Sequence, residues 1–468
     1  MAGSPGGKPA LRWVLATLSL SMLMPSLDTS IANTALPSLA LGFNASFQAA
    51  QWIVLAYLLA VTALIVGAGR IGDILGRRRT LLSGILLFTA ASVLCGCAPT
   101  LWFLIAARSL QGLGAAVMLA ITMASVAGTV PGEKTGSAMG LLGAMSALGT
   151  TLGPALGGLL IAGPGWRALF LINVPLGILN FLLAYRCLPI DQRGPGADRP
   201  RFDHPGMLAL ALALAAYAMA MTVGRGRFGS ANISLLAAAG LGAVLFIRIE
   251  AKAAFPLVRL SLFRNSALSA LVSTVIMTTL VVGPFYLSRA LGLKTALAGL
   301  AVSAGPLVAV MSGVPAGRMV DRFGARRMTI AGIIAMTAGC LALSCLPVIS
   351  GLPGYLTPLA AITSGYALFQ AANNTGIMTG IRPDKRGVIS GLLSLSRNLG
   401  LITGASLMGA VFAFGSATGD FALAGPDDIA AGMRFTFGVA AMLMLLAIAI
   451  TGWEHLTHRK FIWHRPFR

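Results

Sequence analysis

Charge is what this sequence has least of. Only 10% of its 468 residues are Asp, Glu, Lys or Arg, whereas a water-soluble domain carries about 25%. So few charges cannot clothe a soluble surface, and most of the chain must therefore meet lipid. Histidine is nearly absent: His204, His455, His458 and His464 all lie outside the long apolar runs. No acid–base constellation suited to an enzyme remains within those runs. The five cysteines, Cys95, Cys97, Cys187, Cys340 and Cys345, show no metal-ligand spacing and read as packing residues, so no metal site is expected. The alternating segments of about 10 residues that build a membrane barrel are missing as well. Helices are the other way to satisfy every backbone group in lipid, so the expected class is an all-α membrane protein. A nucleotide-binding loop is also lacking. Gly128-Thr-Val-Pro-Gly-Glu-Lys-Thr135 comes near, but Glu133 stands where the last glycine is required. No cofactor is expected, and an ion gradient is left as the energy source.

What is abundant agrees with lipid. Hydrophobic residues make up 57% of the chain, and its mean hydropathy is +0.85. The 57 glycines suit close helix–helix approach in a bilayer. Apolar runs of membrane-crossing length can be read at Trp13–Leu36, Trp52–Gly69, Thr80–Cys97, Trp102–Val126, Gly140–Ile161 and Leu169–Tyr185. After a polar stretch from Asp191 to His204 come Met207–Val223 and Ile233–Ile247, joined by a loop with Arg225 and Arg227. Ala267–Leu287, Gly299–Gly317, Met328–Ile349, Tyr355–Thr379, Val388–Phe414 and Phe435–Trp453 complete a reading of fourteen spans. With both termini in the cytoplasm, only Arg167, Arg225, Arg227, Arg289, Lys294 and Arg434 of the 34 Lys and Arg fall in outer loops. That bias follows the positive-inside rule and explains the +21 net charge without nucleic acid.

The chain repeats itself. Gly69-Arg70-Ile-Gly-Asp73-Ile-Leu-Gly76-Arg77-Arg-Arg follows the second span, and Gly317-Arg318-Met-Val-Asp321-Arg-Phe-Gly324-Ala-Arg-Arg follows the second span of the last six. Duplication of a six-helix unit is the direct inference, with a binding site expected where the repeats meet. Asp73 and Asp321 are suited to cap a helix start or hold arginines, and the repeated loop reads as a conformational latch. Asp28 is the one acidic residue well inside a span, a position that marks a functional site by default. Burial favours the protonated form of a carboxylate and a nearby cation the ionised form, so a buried acid–base pair suits proton exchange. At about 1.5 Å per residue, Arg108 in the fourth span lies at a similar depth and is the natural partner. A permanent structural ion pair is the alternative.

Several stretches resemble one family. The repeated loops are similar to the signature cytoplasmic loop of the major facilitator superfamily. Leu27-Asp-Thr-Ser-Ile-Ala-Asn-Thr-Ala-Leu-Pro37, Gln51-Trp52 with Tyr57, and Arg108-Ser-Leu-Gln-Gly-Leu-Gly114 resemble its fourteen-helix drug:proton antiporter branch. Trp166-Arg167, Asn173-Val-Pro-Leu-Gly177 and Pro256–Arg264 do so too. Gly140, Gly149, Gly153, Pro154, Gly157 and Gly158 reproduce the fifth-helix pattern that the family associates with antiport. The resemblance implies two six-helix bundles, at 1–188 and 264–468, with two additional helices within 189–263. It also implies proton-coupled export of lipophilic small molecules or drugs across the inner membrane, by a monomer working by alternating access. Asp28 and Arg108 would couple protons. Gln51, Trp52, Gln111, Phe285, Tyr286, Asn373, Asn374 and Arg397 are the candidates for the substrate cavity. Arg289 stands where the family has a neutral polar residue, which weighs against strongly cationic substrates. An exporter of one metabolite and a proton-coupled uptake symporter are the rival readings.

Overall fold

A computed structural model describes residues 8–45, 47–189, 204–222, 229–252, 263–293, 295–379, 381–382, 385–416 and 425–462. Much of the Pro256–Arg264 match, Arg225, Arg227, Lys294, and the polar stretch up to Asp203 fall outside them. Among the described residues every regular element is a helix. The first group comprises α1 (Lys8–Gly42), α2 (Phe47–Leu75), α3 (Arg77–Gly96), α4 (Leu101–Thr129), α5 (Thr135–Ala162) and a rod split into α6 (Ala168–Leu171) and α7 (Asn173–Cys187). Next come α8 (His204–Thr222) and α9 (Ser230–Lys252), which pack on each other. The last group comprises α10 (Phe263–Phe285), α11 (Thr295–Phe323), α12 (Ala325–Ser344), α13 (Gly351–Met378), α14 (Arg386–Thr403), α15 (Gly409–Gly415) and α16 (Pro426–Ile462).

Twelve of these rods are long and apolar enough to cross a bilayer. The protein is a multi-pass helical membrane protein. Two expected spans are marginal by that measure. The apolar part of α8 covers only Leu208–Met221, and α13 is diluted by Gly, Pro and the amides Gln370, Asn373 and Asn374. The rod expected at Val388–Phe414 is interrupted by a π-helical turn at Gly404–Met408, and α10 runs into another at Tyr286–Ala290 just after Pro284.

The repeated motif has a local explanation. One residue, Gly76, separates α2 from α3, with φ at 99°. One residue, Gly324, separates α11 from α12, with φ at 87°. Side-chain-bearing residues seldom adopt such a backbone, so a glycine at each is what lets the chain reverse in one step. The motif's first glycine does something else. A methyl group on Gly69 would run into the carbonyl oxygen of Gly387, and one on Gly317 into that of Gly136.

Those contacts lie between the two helix groups. α2 packs on α14, and α5 packs on α11, so the second helix of each group meets the fifth of the other. Gly391 lies against Ile65, and Gly140 faces Gly313 and Gly317. Every close glycine approach between the groups, among the described residues, falls toward the ends carrying the basic loops. The groups are therefore sealed at the basic end. Further from that end, Gly149, Gly153 and Gly157 turn α5 onto α1 instead.

A branched side chain at Gly69 should break this seal. In a cysteine-free background, Gly69→Val should raise maleimide labelling of a cysteine placed at Ser137 several-fold. Unchanged labelling would mean that the seal does not depend on backbone contact.

Candidate functional site

Asp28 sits on the inner face of α1, 1% exposed, against a fully buried Arg108. Thr100 caps α4 by accepting from the Phe103 amide, and Arg108 follows two turns later. Gly112 allows α4 to lie against α2, since a methyl there would come within 2.6 Å of the Tyr57 carbonyl oxygen. That closeness lets Arg108 Nε donate to the Ile53 carbonyl at 3.1 Å. Arg108 Nη1 reaches Asp28 Oδ2 at 2.5 Å and Gln111 Oε1 at 2.6 Å. The guanidinium also stacks 4.3 Å from the Tyr57 ring centroid.

The other carboxylate oxygen is held by amides. Asp28 Oδ1 accepts from Gln111 Nε2 at 2.9 Å and from Asn173 Nδ2 at 2.8 Å. Gln111 Nε2 is shared with Ser92 Oγ at 2.8 Å, and Cys95 Sγ donates to Gln111 Oε1. Five helices thus converge on one ion pair. Burying two charges is costly and is tolerated where geometry and further hydrogen bonds are good. Two buried atoms stay unsatisfied, Arg108 Nη2 and Asn173 Oδ1. Buried polar atoms left over in this way are ones that a water molecule would satisfy.

At the basic end two carboxylates act on helix starts. Asp73 on α2 accepts from the Gly387 and Val388 amides at 2.9 and 3.1 Å, capping α14, with Arg77 at 3.7 Å. Asp321 on α11 accepts from the Gly136 and Ser137 amides at 2.7 and 2.8 Å and from the Ser137 hydroxyl, capping α5. The first N–H groups of a helix have no partner inside it. Each group of helices therefore supplies the cap for a helix of the other. Arg77 also donates to the Ala124 carbonyl at 3.1 Å. Arg70 is buried in this region, whereas its counterpart Arg318 is exposed.

A cavity of about 220 Å³ opens between the two groups above the seal, with Gly140 and Gly313 at its floor. Met22, Met123 and Met139 supply soft apolar wall on one side. Facing them is a polar ladder on α13, where Asn374 donates to Gln370 at 3.3 Å and Gln370 to the Tyr366 hydroxyl at 2.7 Å. α1 and α5 are tied beside it. Ser26 meets Ser146 at 2.7 Å, and Ser30 donates to the Thr150 carbonyl at 2.8 Å. That carbonyl is the one Pro154, lacking an N–H, leaves without its helical partner.

This geometry corrects several expectations. Of the eight cavity candidates, Asn374 and Arg397 line it; Gln51, Trp52, Gln111, Phe285, Tyr286 and Asn373 do not. Gln111 lies one turn beyond Arg108 and shares its face, so it joins the ion pair. Tyr286 is buried and stacks on Tyr355 at 5.7 Å, and Phe285 packs on Phe412 at 5.8 Å. Asn373 is buried and lies one residue out of phase with the ladder. In the fifth-helix pattern Gly140 meets α11 and Gly149, Gly153 and Gly157 meet α1, while a methyl on Gly158 would touch nothing. Tyr366 and Gln370 were missed, although their four-residue spacing with Asn374 was visible in the sequence. The motif around Asn173 gives no sign that its side chain reaches Asp28.

Two bundles tied by mutual caps around a central cavity form a transporter architecture, and the sequence profile of the major facilitator superfamily matches residues 18–405. The chain belongs to the major facilitator superfamily. It is 32% identical over 85% of its length, and 75% of the relative's, to the multidrug resistance protein Stp of Mycobacterium tuberculosis. The riboflavin transporter RibZ of Clostridioides difficile is 30% identical over 86% of this chain and 88% of its own. The fold is similar to that of the human organic anion transporter MFSD10, with a TM-score of 0.69 at 16% identity, covering 95% and 100% of the two chains. This protein is therefore a transporter of that superfamily and not an enzyme.

The hydrogen-bond role of Gln111 can be measured directly. Gln111→Leu should lower the thermal stability of the detergent-solubilised protein by about 1–3 kcal/mol, the cost of a broken buried polar contact. Trp52→Phe should leave it nearly unchanged. Equal effects would return Gln111 to the role of an ordinary wall residue.

Proposed function

We propose that the protein exports lipophilic small molecules across the cytoplasmic membrane in exchange for protons, by alternating access. The observation that carries this reading is the Asp28–Arg108 pair, a carboxylate 1% exposed and held within a helix bundle by side chains rather than by backbone. An intramembrane acid so placed is suited to exchange a proton when its surroundings rearrange. The names of relatives such as Stp support drug export, and the name of RibZ keeps a narrow metabolite substrate open. We take α8 and α13 as spans, giving fourteen, with both termini cytoplasmic, and we take the protein to work as a monomer. The segments 1–188, 189–263 and 264–468 then correspond to first bundle, additional helix pair and second bundle.

In this reading the conformation sealed at the basic end faces outward. Asp73 and Asp321 are the latch. Breaking it exposes helix starts that cytoplasmic water can solvate, so the inward-facing state is accessible at modest cost. Substrate does not touch Asp28, which lies outside the cavity lining. Coupling instead runs along α1, where Met22 lines the cavity and Ser26 bonds Ser146. Asp28 follows two residues later. Protonation weakens its hold on Arg108 and lets α1 shift against α5. A substrate that contacts Met22 and Ser146 biases the same helix, and two ligands that bias one two-state element are coupled.

Efflux of lipophilic dyes into inverted vesicles tests this. Export should collapse with an uncoupler, and Asp28→Asn should lower gradient-driven export by about tenfold or more. Binding of the same dyes to the purified variant should persist. Full proton-dependent export by Asp28→Asn would sink the coupling role. A second expectation concerns the latch. Asp73→Asn with Asp321→Asn should raise the inward-facing fraction, read by labelling a cysteine at Ser137, and no change would remove the latch.

A further inference from the structure

The cavity contains a charge that no carboxylate among the described residues neutralises. Among its lining residues Arg397 is the only ionisable cation and no carboxylate accompanies it. Its Nη2 makes one long hydrogen bond, 3.4 Å to Ser146 Oγ, and its Nε is buried without a partner. Neither the Asp73–Arg77 nor the Asp28–Arg108 ion pair involves Arg397. Eleven residues into α14, it lies roughly 17 Å from the helix start, deep in the membrane region. An arginine cannot shed its charge to relieve such a position. It is held there at a cost that a partner must offset, and an ionisable residue facing a membrane cavity signals that the partner passes through.

We propose that this cavity, as the substrate site of the exporter argued above, selects lipophilic monoanions of the aromatic carboxylate class, with Arg397 as their counter-ion. The inference rests on that reading for its direction of transport only. Three features fit the class. A guanidinium is weakly hydrated, planar and forked, matching a carboxylate in two hydrogen bonds. The methionine wall of Met22, Met123 and Met139 accepts flat apolar rings of varied shape. Tyr366 already accepts from Gln370, so its own hydroxyl proton is left to donate to a second acceptor. A cation finds no carboxylate in the lining and is repelled by Arg397.

The same contact offers a route from ligand to coupling helix. Ser146 is bonded to Ser26 on α1 as well as to Arg397. An anion that draws Arg397 off Ser146 changes the polar contacts of α1 beside Asp28.

Equilibrium dialysis on the purified full-length protein in lipid nanodiscs, corrected with empty discs, tests the site without any gradient. The probes are anthracene-9-carboxylate and its neutral carboxamide. Wild type should bind the carboxylate about tenfold or more tightly than the amide. Arg397→Gln and Arg397→Met should erase that preference and leave the amide affinity within about threefold, which also shows that the cavity is intact. Arg397→Lys should retain a reduced preference, having the charge without the fork. Equal affinities in wild type, or a carboxylate preference that survives loss of the guanidinium, would overturn the proposal. Its failure is separable from that of proton exchange. Preference without gradient-driven export of any dye leaves the anion site standing and removes the antiporter. Export by Asp28-dependent exchange without the preference does the reverse.

Discussion

Two helix starts at the basic end govern the arrangement of everything else. The first amides of α5 and α14 have no acceptor within their own helices and would need water or a cap. Asp321 and Asp73 provide the caps from the opposite bundle, and they reach only because glycine meets backbone at Gly69, Gly136, Gly317 and Gly387. The seal is thus one of hydrogen bonds made through close backbone contact, not of apolar packing alone. Such contacts are directional, and at an aqueous surface water can take their place. A seal of this kind is firm when closed and inexpensive to open at an aqueous surface.

The ion pair deeper in the first bundle is built on the opposite principle. Asp28 and Arg108 are buried away from bulk water, and the pair is surrounded by amides, a ring face and a backbone carbonyl. It is separated from the cavity, so in the proposed cycle coupling would run through the motion of α1 rather than through direct competition for the carboxylate. Two serine hydroxyls join α1 to α5, Ser26 to Ser146 and Ser30 to the Thr150 carbonyl, which suits α1 to the part of transmitter in that cycle. Ser30 also repairs the carbonyl left open by Pro154, so the irregular point in α5 is bound to the helix that carries the acid.

The cavity differs from both places in having a charge without an answer. Its soft wall and amide ladder would serve many lipophilic molecules. Arg397 narrows them by sign. Asn374 donates to Gln370 and Gln370 to Tyr366, whereas among the described residues Arg397 makes one long contact to Ser146, so the cation stands apart from its polar neighbours.

Much of this was legible in the chain alone. Hydropathy is local, so the helical spans and the pairing of Asp28 with Arg108 by depth followed from spacing along single helices. The duplicated loop also announced itself, since the turn glycines Gly76 and Gly324 and the caps Asp73 and Asp321 are set by short-range backbone geometry that leaves a fixed pattern. Which bundle each aspartate would cap was not readable, because that depends on contacts more than 180 residues apart in sequence. The assignment of wall and interior was also decided only by the tertiary structure. Gln111 and Asn373 looked like cavity residues, yet a helix buries one face and opens another, and a rotation of one residue moves a side chain between them. The same holds for Arg397. Its position in a span was plain from the sequence, but the absence of a carboxylate beside it among the described residues depends on how the neighbouring helices pack.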